Sequence, residues 1–444
     1  MTNKISTPIA DFVRAYAERD GVRLHMPGHK GKDFLGFEKF DITEIKGADA
    51  LYEADGIIAE SERNASRLFG TEKTLYSTEG SSQCIRAMMY LIALSSEKGR
   101  RPVVLAARNV HKTFVFAAAL LDIEVKWLWP EEKGSICSCP VSAEMVKKAL
   151  DENNADAVYI TSPDYLGGMA DIKAIADVCH KKGAVVAVDN AHGAYLHFLK
   201  DSLHPMDMGA DICCDSAHKT LPALTGGAYL HISKDAPEVF KEQAKYAMAL
   251  FGSTSPSYLC MASLDMCNAY LADDYKQKLG ETVLRVEKVK KELSENGYEA
   301  VVSDPLKITL KVPEGCLGAD IAEKLRENGI ECEYADPDFV VLMATPENDE
   351  DDFERLVSAL GKNDKPCRSG EVSVTKAESA LSIREAVMSA SETIKVSEAE
   401  GRICRVPTVS CPPAIPVVVP GEIISREAIE IFNYYGIKEV DVIR

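Results

Sequence analysis

The sequence predicts an α/β protein with a mostly parallel sheet, followed by smaller α+β parts towards the C-terminus. Short apolar, β-branched runs occur at residues 103–106, 157–160, 185–188 and 212–214. Helical patterns at residues 82–94, 142–150 and 172–181 alternate with them. This alternation favours parallel strands in a sheet that is covered by helices on both faces. A chain of 444 residues is too long for one compact core, so we expect two or three domains.

The segments around this alternating region predict an N-terminal arm and a small second domain. Residues 9–17 have a helical pattern and residues 24–31 are rich in turn-forming and basic residues, so we interpret residues 1–50 as an arm and residues 51–270 as the large domain. Residues 265–296 predict one or two long charged helices that link two domains. Over residues 298–360 the pattern predicts strand, strand, helix, strand, strand, helix, with the clearer strands at 308–312 and 339–343, and hence a small α+β domain at 271–364.

The C-terminal part, residues 365–444, is predicted to form a further domain. Residues 362–370 are polar and indicate a linker, and residues 377–388 have a helical pattern. Residues 406–422 are rich in proline, which removes hydrogen-bond donors from the backbone. We therefore expect an extended, irregular segment there.

Charge and cysteine content argue against several classes of function. The formal net charge is −18, whereas binding to nucleic acid or to an anionic membrane needs a basic surface. The 13 cysteines include no CxxC pair, so we expect no metal site and a reducing compartment. No secretory signal is evident, and no apolar run approaches the roughly 18 residues of a membrane span. The sequence therefore predicts a cytoplasmic protein.

A lysine after a predicted strand is the first candidate for chemistry. Lys219 lies in residues 215–220 (DSAHKT), directly after strand 212–214. In α/β sheets, ligands bind at the carboxyl ends of the strands. A lysine whose pKa is lowered by burial and a cationic neighbour becomes a nucleophile towards carbonyl groups. Taken alone, a solvated surface lysine explains this segment equally well.

Two further polar residues follow predicted strands. Asp189 comes after strand 185–188, where a buried carboxylate needs a partner that a protonated pyridine nitrogen would supply. The alternative role of Asp189 is to cap the next helix. His111 comes after strand 103–106 and could stack on a pyridine ring, although a structural histidine is the simpler interpretation of this residue alone.

A glycine–serine turn opens the helix predicted at residues 82–94. Free backbone N–H groups and hydroxyls at such a helix N-terminus bind phosphate, and Gly80, Ser81 and Ser82 are the candidates. Ser216 and His218 could add donors to the same phosphate. A phosphate cup, a stacking imidazole, a carboxylate for a pyridine nitrogen and an amine thus follow one another along the chain. This combination predicts that pyridoxal phosphate (PLP) is bound to the strand-end lysine.

Several longer motifs resemble one family. Residues 26–31 (MPGHKG) and 216–219 (SAHK) are the more specific, and residues 41–44, 57–69, 189–193, 253–258 and 412–422 add to the similarity. Together they resemble the ornithine/lysine/arginine decarboxylases of PLP fold type I, the fold of aspartate aminotransferase. The resemblance covers nearly the whole chain and is to the short form of the family, which lacks an N-terminal wing.

The resemblance implies a reaction and a set of roles. The expected reaction converts arginine, lysine or ornithine into the corresponding amine and carbon dioxide, as in polyamine biosynthesis, in a homodimer or larger homo-oligomer with a seven-stranded sheet. Residues 365–444 would be the decarboxylase-type C-terminal domain. The implied site residues are Lys219 as the Schiff-base lysine, Asp189 at the pyridine nitrogen, His111 stacked on the ring, His192 near the ring, Gly80, Ser81, Ser82, Ser216 and His218 at the phosphate, and Thr254 or Ser255 reaching the phosphate of the neighbouring subunit.

Departures from the family pattern leave the substrate open. Asn190 stands where the family often has glutamate, Glu79 stands where asparagine is common, and residues 411–414 (CPPA) replace an aromatic-Pro-Pro-Gly pattern. A basic substrate needs an acidic partner, for which the candidates are Glu79, Asp49, Glu53 and Asp55.

Two alternatives to decarboxylation follow from the same residues. A PLP-dependent aminotransferase, lyase or racemase would keep the cofactor site, because fold and cofactor do not determine which bond at Cα breaks. A PLP-binding sensor or scaffold without turnover could also keep Lys219, Asp189 and His111.

Overall fold

A computed structural model describes residues 5–130, 134–368, 372, 376–407 and 414–444. The strands are β1 Lys73–Ser77, β2 Val103–Ala107, β3 Glu124–Leu128, β4 Ala157–Thr161, β5 Val185–Asp189, β6 Ile212–Asp215, β7 Ala228–Ile232, β8 Lys307–Lys311, β9 Tyr334–Ala335, β10 Phe339–Met343, β11 Ser391–Lys395 and β12 Glu439–Ile443. The α-helices are α1 Pro8–Ala17, α2 Ile57–Phe69, α3 Ser81–Ser95, α4 Lys112–Leu121, α5 Ala143–Glu152, α6 Ile172–Lys181, α7 Ala217–Thr220, α8 Glu238–Phe251, α9 Tyr258–Ala272, α10 Tyr275–Glu295, α11 Gly318–Glu327, α12 Glu350–Leu360, α13 Ile383–Met388 and α14 Arg426–Tyr434. No helix in these ranges has both the length and the apolar character that a membrane span requires.

The main sheet has seven strands in the order β1–β7–β6–β5–β4–β2–β3. β5 is parallel to β6, and β2 is parallel to both β3 and β4, whereas β7 is antiparallel to β1 and β6. The α/β class and the mostly parallel seven-stranded sheet are therefore confirmed. The carboxyl ends of β5 and β6 lie at the same edge of the sheet because these strands are parallel.

The chain divides into two compact units. The first comprises the residues through Ser95 together with Val185–Lys278, and the second comprises Ser96–Ala184 and Leu279–Arg444. The domain boundaries expected after residues 50, 270 and 364 stay a prediction.

In the first unit, the middle of the sheet is apolar and α1 is fixed to α9. Residues 186–188 of β5 and 212–214 of β6 are fully buried.

Asp265 of α9 accepts the N–H groups of Ile9 and Ala10 at 2.9 and 3.0 Å. These donors have no partner within α1, so the Asp265 carboxylate caps this helix from another element.

The second unit contains two hydrophobic clusters besides its strands of the main sheet. In one cluster, α10, α11 and α12 pack on the antiparallel sheet β8–β10–β9. In the other, α14, β12 and residues 415–424 pack together. β11 pairs with β12 in an antiparallel two-stranded sheet.

The strands predicted at residues 103–106, 157–160, 185–188 and 212–214 are all present, and each extends one residue further at its C-terminal end. The predicted helices correspond to α3, α5 and α6, and residues 265–296 are largely covered by α9 and α10. β1, β3, β7, β11 and β12 are not among the predicted strands.

The first strand predicted in the small α+β part is wrong. In residues 298–306 only Ala300 forms an isolated bridge, to Leu310, and no strand is assigned in this described segment. The N–H of Asp304 donates to the carbonyl oxygen of Gly167 at 2.8 Å. The segment therefore pairs with β8 only around Ala300, where the N–H groups of Val301 and Lys311 donate to the carbonyl oxygens of Thr309 and Glu299, before the chain turns towards Gly167.

The helix predicted at residues 377–388 is also shorter than expected. It begins at Ile383, because Ser382 and Glu385 form a capping box that sets its first turn. Ser379 instead bridges to Glu422. Within the proline-rich run, residues 408–413 lie outside the described residues, and residues 414–422 contain no assigned helix or strand, as expected for an irregular segment.

Candidate active site

Two parallel strands bring the predicted cofactor residues to one edge of the sheet. β5 ends at Asp189 and β6 ends at Asp215, and the register pairs Asp189 with Cys214. Asp189 is 3% exposed. The turns that follow these strands, residues 190–193 and 216–219, lie where ligands of parallel sheets bind.

An amine and an imidazole meet in these turns. Nζ of Lys219 lies 3.0 Å from Nε2 of His192. Lys219 belongs to the short helix α7 and is half-buried, and His192 is 5% exposed. A partly desolvated amine beside an imidazole can exchange a proton with it. This position differs from that of a solvated surface lysine.

The carboxylate of Asp189 interacts with its own turn and with the next strand. Its Oδ1 accepts the N–H of Ala191 at 3.2 Å and lies 3.7 Å from Sγ of Cys214. Burial, and then the carboxylate of Asp189, raises the pKa of the Cys214 thiol well above its ordinary value, so the thiol keeps its proton and donates towards Asp189. The next element is a 3-10 helix, Ala194–Phe198, whose N-cap is Gly193. Asp189 is therefore not the cap of a following helix.

The residues predicted to bind phosphate lie close together. Oγ of Ser216 donates to Oγ of Ser81, the first residue of α3, at 2.9 Å, and Ser82 follows. Gly80 has φ +70°, which favours glycine, and a Cβ atom placed on it would lie 3.9 Å from Cε1 of His218. The ring of His218 is held by a backbone carbonyl 2.9 Å from its Nδ1. The hydroxyls of Ser81 and Ser216 thus converge at the N-terminus of a 15-residue helix, which suits an anion.

The predicted stacking histidine lies in the second unit. His111 is the N-cap of α4, and its Nδ1 accepts the N–H of Thr113 at 3.2 Å. This side chain therefore has the structural role that is the simpler interpretation of the sequence. Its stacking on a ring stays a prediction.

A buried arginine that lies in no predicted motif supports the loop that leads to His111. Arg108 is 2% exposed and donates to the carbonyl oxygens of Pro416 and Val417 at 2.9 and 3.0 Å. Its Nη2 also lies 3.3 Å from Oε2 of Glu422, which is 1% exposed. The only signal in the sequence is that Arg108 lies three residues before His111.

The acidic residues considered for a basic substrate differ in what they contact. Burial raises the pKa of Asp49, but its backbone donors lower it more, so the carboxylate is charged and holds its own loop together. Those donors are the N–H groups of Ala50, Asp55, Gly56, Ile58 and Ala59. Glu79 accepts the N–H of Ser253, which precedes the exposed Thr254. The remaining candidates, Glu53 and Asp55, are exposed.

The donor set of the first unit suits PLP. Lys219 offers an amine for the aldehyde group, and the buried Asp189 offers a carboxylate for the pyridine nitrogen. Ser81 and Ser216 offer hydroxyls for the phosphate at a helix N-terminus. The aldehyde, the pyridine nitrogen and the phosphate of the cofactor therefore each have a side chain of matching chemistry at this edge of the sheet.

Comparisons with known proteins identify a family for this chain. Residues 7–303 match the family model "Orn/Lys/Arg decarboxylase, major domain", and residues 367–440 match the model of its C-terminal domain. An arginine decarboxylase of Bacillus subtilis is 30% identical over 95% of this chain and 92% of that protein. An arginine decarboxylase of Halalkalibacterium halodurans is 29% identical over 96% of this chain and 92% of that protein.

Solved structures with the same fold include lysine decarboxylases. The enzyme LdcF of Francisella novicida superposes with a TM-score of 0.78 at 19% identity, over 100% of this chain and 82% of that one. Lysine decarboxylase A of Pseudomonas aeruginosa gives a TM-score of 0.80 at 19% identity, over 98% of this chain and 80% of that one. The fold is therefore that of PLP fold type I, as the sequence resemblance implies.

Proposed function

We propose that this chain, which belongs to the ornithine/lysine/arginine decarboxylase family, uses PLP held by Lys219 and prefers arginine among the basic amino acids that it decarboxylates. The observation that carries the cofactor assignment is the 3.0 Å contact between Lys219 Nζ and His192 Nε2 beside the buried Asp189. The preference for arginine is supported by the arginine decarboxylases that align over nearly the whole chain. A lysine decarboxylase of Pseudomonas aeruginosa aligns over only 61% of it.

Each cofactor residue has a defined task in this proposal. PLP, when bound, supplies an electron sink for the bond that breaks at the substrate Cα. Asp189 would keep the pyridine nitrogen protonated, because a buried carboxylate stabilises a positive charge beside it. Ser81, Ser216 and the first turn of α3 would bind the phosphate.

Lys219 and His192 together supply the proton that the reaction needs. The two nitrogens are within hydrogen-bond distance, so a proton on one is shared with the other. After carbon dioxide has left, Cα needs a proton, and Nζ of Lys219 is the donor that this site offers. His192 can replace that proton because it contacts Nζ. Burial of His192 limits competing exchange with solvent.

The protein is further proposed to form a homodimer and to act in the cytoplasm. Its proposed metabolic role is in polyamine biosynthesis. Thr254 would reach the phosphate of the neighbouring subunit. Its position supports this role, because Thr254 is exposed and follows Ser253, whose N–H is bound by Glu79, the residue before Gly80 of the phosphate cup.

A substrate panel tests the proposed reaction. Purified protein with added PLP is incubated with arginine, lysine or ornithine, and amine and carbon dioxide are quantified, with Lys219→Ala as the control. We expect equal amounts of agmatine and carbon dioxide from arginine, slower turnover of the other two, and none in the control. Formation of an α-keto acid would identify an aminotransferase instead. PLP binding without turnover of any amino acid would identify a non-catalytic binding protein.

A further inference from the structure

A buried network surrounds the last residue of β6. Asp215 is fully buried, and its Oδ2 lies 3.0 Å from Nε2 of His204 and 3.0 Å from Nε2 of His231, both also fully buried. Its Oδ1 accepts the side-chain N–H of Asn190 at 2.7 Å. All of these groups belong to the first unit. Three donors therefore satisfy one buried carboxylate, which is what a buried charge requires.

The imidazole protons of this network face the carboxylate. Nδ1 of His204 accepts the N–H of Met206 at 3.3 Å, which leaves the proton on Nε2. Nδ1 of His231 pairs with Oγ1 of Thr74 at 2.8 Å, and its Nε2 donates to Asp215 because a charged carboxylate can only accept. Burial raises the pKa of Asp215, but the two histidines lower it more, so that the carboxylate is charged at neutral pH.

Asn190 connects this network to the turn that carries His192. A Cβ atom at Gly193 would lie 2.0 Å from Oδ1 of Asn190, so the Asn190 side chain fills the space beneath the turn. The turn is closed by the N–H of Gly193, which donates to the carbonyl oxygen of Asn190 at 2.8 Å. His192 lies within this turn and contacts Lys219.

We propose that Asp215 is a positioning residue that fixes the His192 turn against the Lys219 helix. Asp215 holds the His192 turn through its hydrogen bond with Asn190. It also directly precedes Ser216, the N-cap of the helix that contains Lys219. This inference rests on the proposed function, in which Lys219 holds PLP. It also accounts for the departure at Asn190, because a glutamate at that position would place a second carboxylate against Asp215, whereas an amide donates to it.

The same three side chains could in principle bind a metal ion, since their ligand atoms lie within 4.8 Å of one another. The hydrogen bonds argue against this. Nε2 of each histidine carries the proton that it donates to Asp215, so it has no lone pair for an ion. The network is therefore one of hydrogen bonds, and metal content is a direct check on it.

The experiment compares PLP affinity with fold stability in matched variants of the full chain. In Asp215→Asn, the charge is lost and the amide can accept on only one side, so its N–H group faces either a histidine N–H or the Asn190 amide, which must turn over to accept it. We expect the dissociation constant of PLP, measured from its absorbance on binding, to rise about tenfold to a hundredfold, with a shifted absorbance maximum. Asn190→Ala keeps both histidine contacts and should fold even if Asp215→Asn does not. For this variant we expect an increase of about tenfold.

A swapped pair and a control separate positioning from stability. In Asn190→Asp with Asp215→Asn, the hydrogen bond between the two positions is restored with reversed polarity, so we expect recovery of most of the PLP affinity. Asp211 is 5% exposed and its Oδ2 accepts the N–H of Val186 at 2.7 Å, at the opposite ends of β5 and β6. Asp211→Asn should lower the unfolding temperature and leave PLP affinity within about twofold of wild type.

Two results would overturn the inference while leaving the proposed function intact. One is wild-type PLP affinity and absorbance in both Asp215→Asn and Asn190→Ala, with only the unfolding temperature lowered. The other is a stoichiometric metal in the wild-type protein that Asp215→Asn lacks. If wild-type protein itself binds no PLP, the proposed function fails and the inference fails with it.

Discussion

The loops that carry the candidate cofactor residues are supported differently in the two units. In the first unit, the turns with His192 and Lys219 are held by Asp215, whose partners come from the next strand and from the loops at β5 and β6. In the second unit, the loop after β2 is held by Arg108, whose partner Pro416 lies 308 positions later in the chain. The Asp215 network is built within a single region of the sheet, whereas the contacts of Arg108 depend on the C-terminal part of the chain.

This difference indicates that the two regions respond differently to substitution. In the proposed function, Asp189 at the end of β5 and Lys219 after β6 contact the cofactor, so their loss should change chemistry more than stability. The ion pair of Arg108 and Glu422 is a buried structural contact, so its loss should change stability more than chemistry.

The largest effect is expected for Asp189→Asn. An amide cannot stabilise a protonated pyridine nitrogen, so we expect kcat for decarboxylation to fall about 10²–10³-fold. PLP should still bind through Lys219 and the phosphate cup, and the unfolding temperature should change little. Steady-state kinetics with bound PLP quantified in the same samples provides the test. Unchanged kcat would remove Asp189 from the pyridine nitrogen.

In the second unit, Glu422→Gln should lower the free energy of unfolding by about 3 kcal/mol, because Arg108 is left as a buried charge without its ion-pair partner. Chemical denaturation measures the loss, and kcat of the folded fraction should stay within a few-fold of wild type. The matched control is Glu392→Gln at the more exposed ion pair with Arg402, which should cost less than about 1 kcal/mol. A large loss of kcat without a loss of stability would break the contrast between the two units.

The pH dependence of stability tests both units with matched carboxyl groups. Burial raises the pKa of Asp265, in the first unit, and of Asp336, in the second, to about 6. In the unfolded chain the value is about 3.9. Between these two values the native state keeps protons that the unfolded state has lost, so this contribution to the free energy of unfolding falls as pH rises from about 4 to 6.

In Asp265→Asn, the decrease in the free energy of unfolding between pH 4 and pH 6 should therefore be smaller than in wild type, by an amount on the order of 3 kcal/mol. Each pKa unit corresponds to about 1.4 kcal/mol. Asparagine can still accept the N–H groups of Ile9 and Ala10, so α1 keeps its cap. Asp336→Asn should have a similar effect. The test is the free energy of unfolding of each variant at pH 4, 5, 6 and 7. A slope identical to that of wild type would contradict the raised pKa.

The smallest effect is expected for Gly193→Ala. The added Cβ would lie 2.0 Å from Oδ1 of Asn190 and 2.6 Å from Cδ1 of Leu196, so the turn must shift, at a cost of about 1–3 kcal/mol. Since His192 moves with this turn, we expect kcat to fall about tenfold. Gly183→Ala is a control at a glycine with no atom close to its Cβ position, although its φ of +74° adds some backbone strain. Equal kcat in the two variants would show that the position of the turn is not critical.

The central strands and the strand-end residues could be predicted because both follow from local sequence. Continuous apolar runs mark β2, β4, β5 and β6, and the polar residues that follow them mark the edge where ligands bind. β1 (KTLYS) and β11 (SETIK) were missed because they contain few apolar residues. β11 is also largely exposed, so its pairing with β12 is not encoded in a hydrophobic pattern.

Supports that join distant parts of the chain could not be predicted. Arg108 contacts residues far along the sequence, and no local pattern distinguishes it from a surface arginine. Asp215 was part of a motif, but its histidine partners lie in a loop and in the unpredicted β7. The late start of the helix predicted at residues 377–388 has a local signal in the capping box of Ser382 and Glu385, which the helical pattern obscured.

The most direct test of the account is to identify the residue that holds PLP. Protein incubated with PLP is reduced with borohydride, digested and mapped by mass spectrometry, with Lys219→Ala as the control. We predict one pyridoxyl group per chain, on the peptide that contains Lys219, and none in the control. A pyridoxyl group on another lysine, or labelling that persists unchanged in Lys219→Ala, would contradict the assignment of the site.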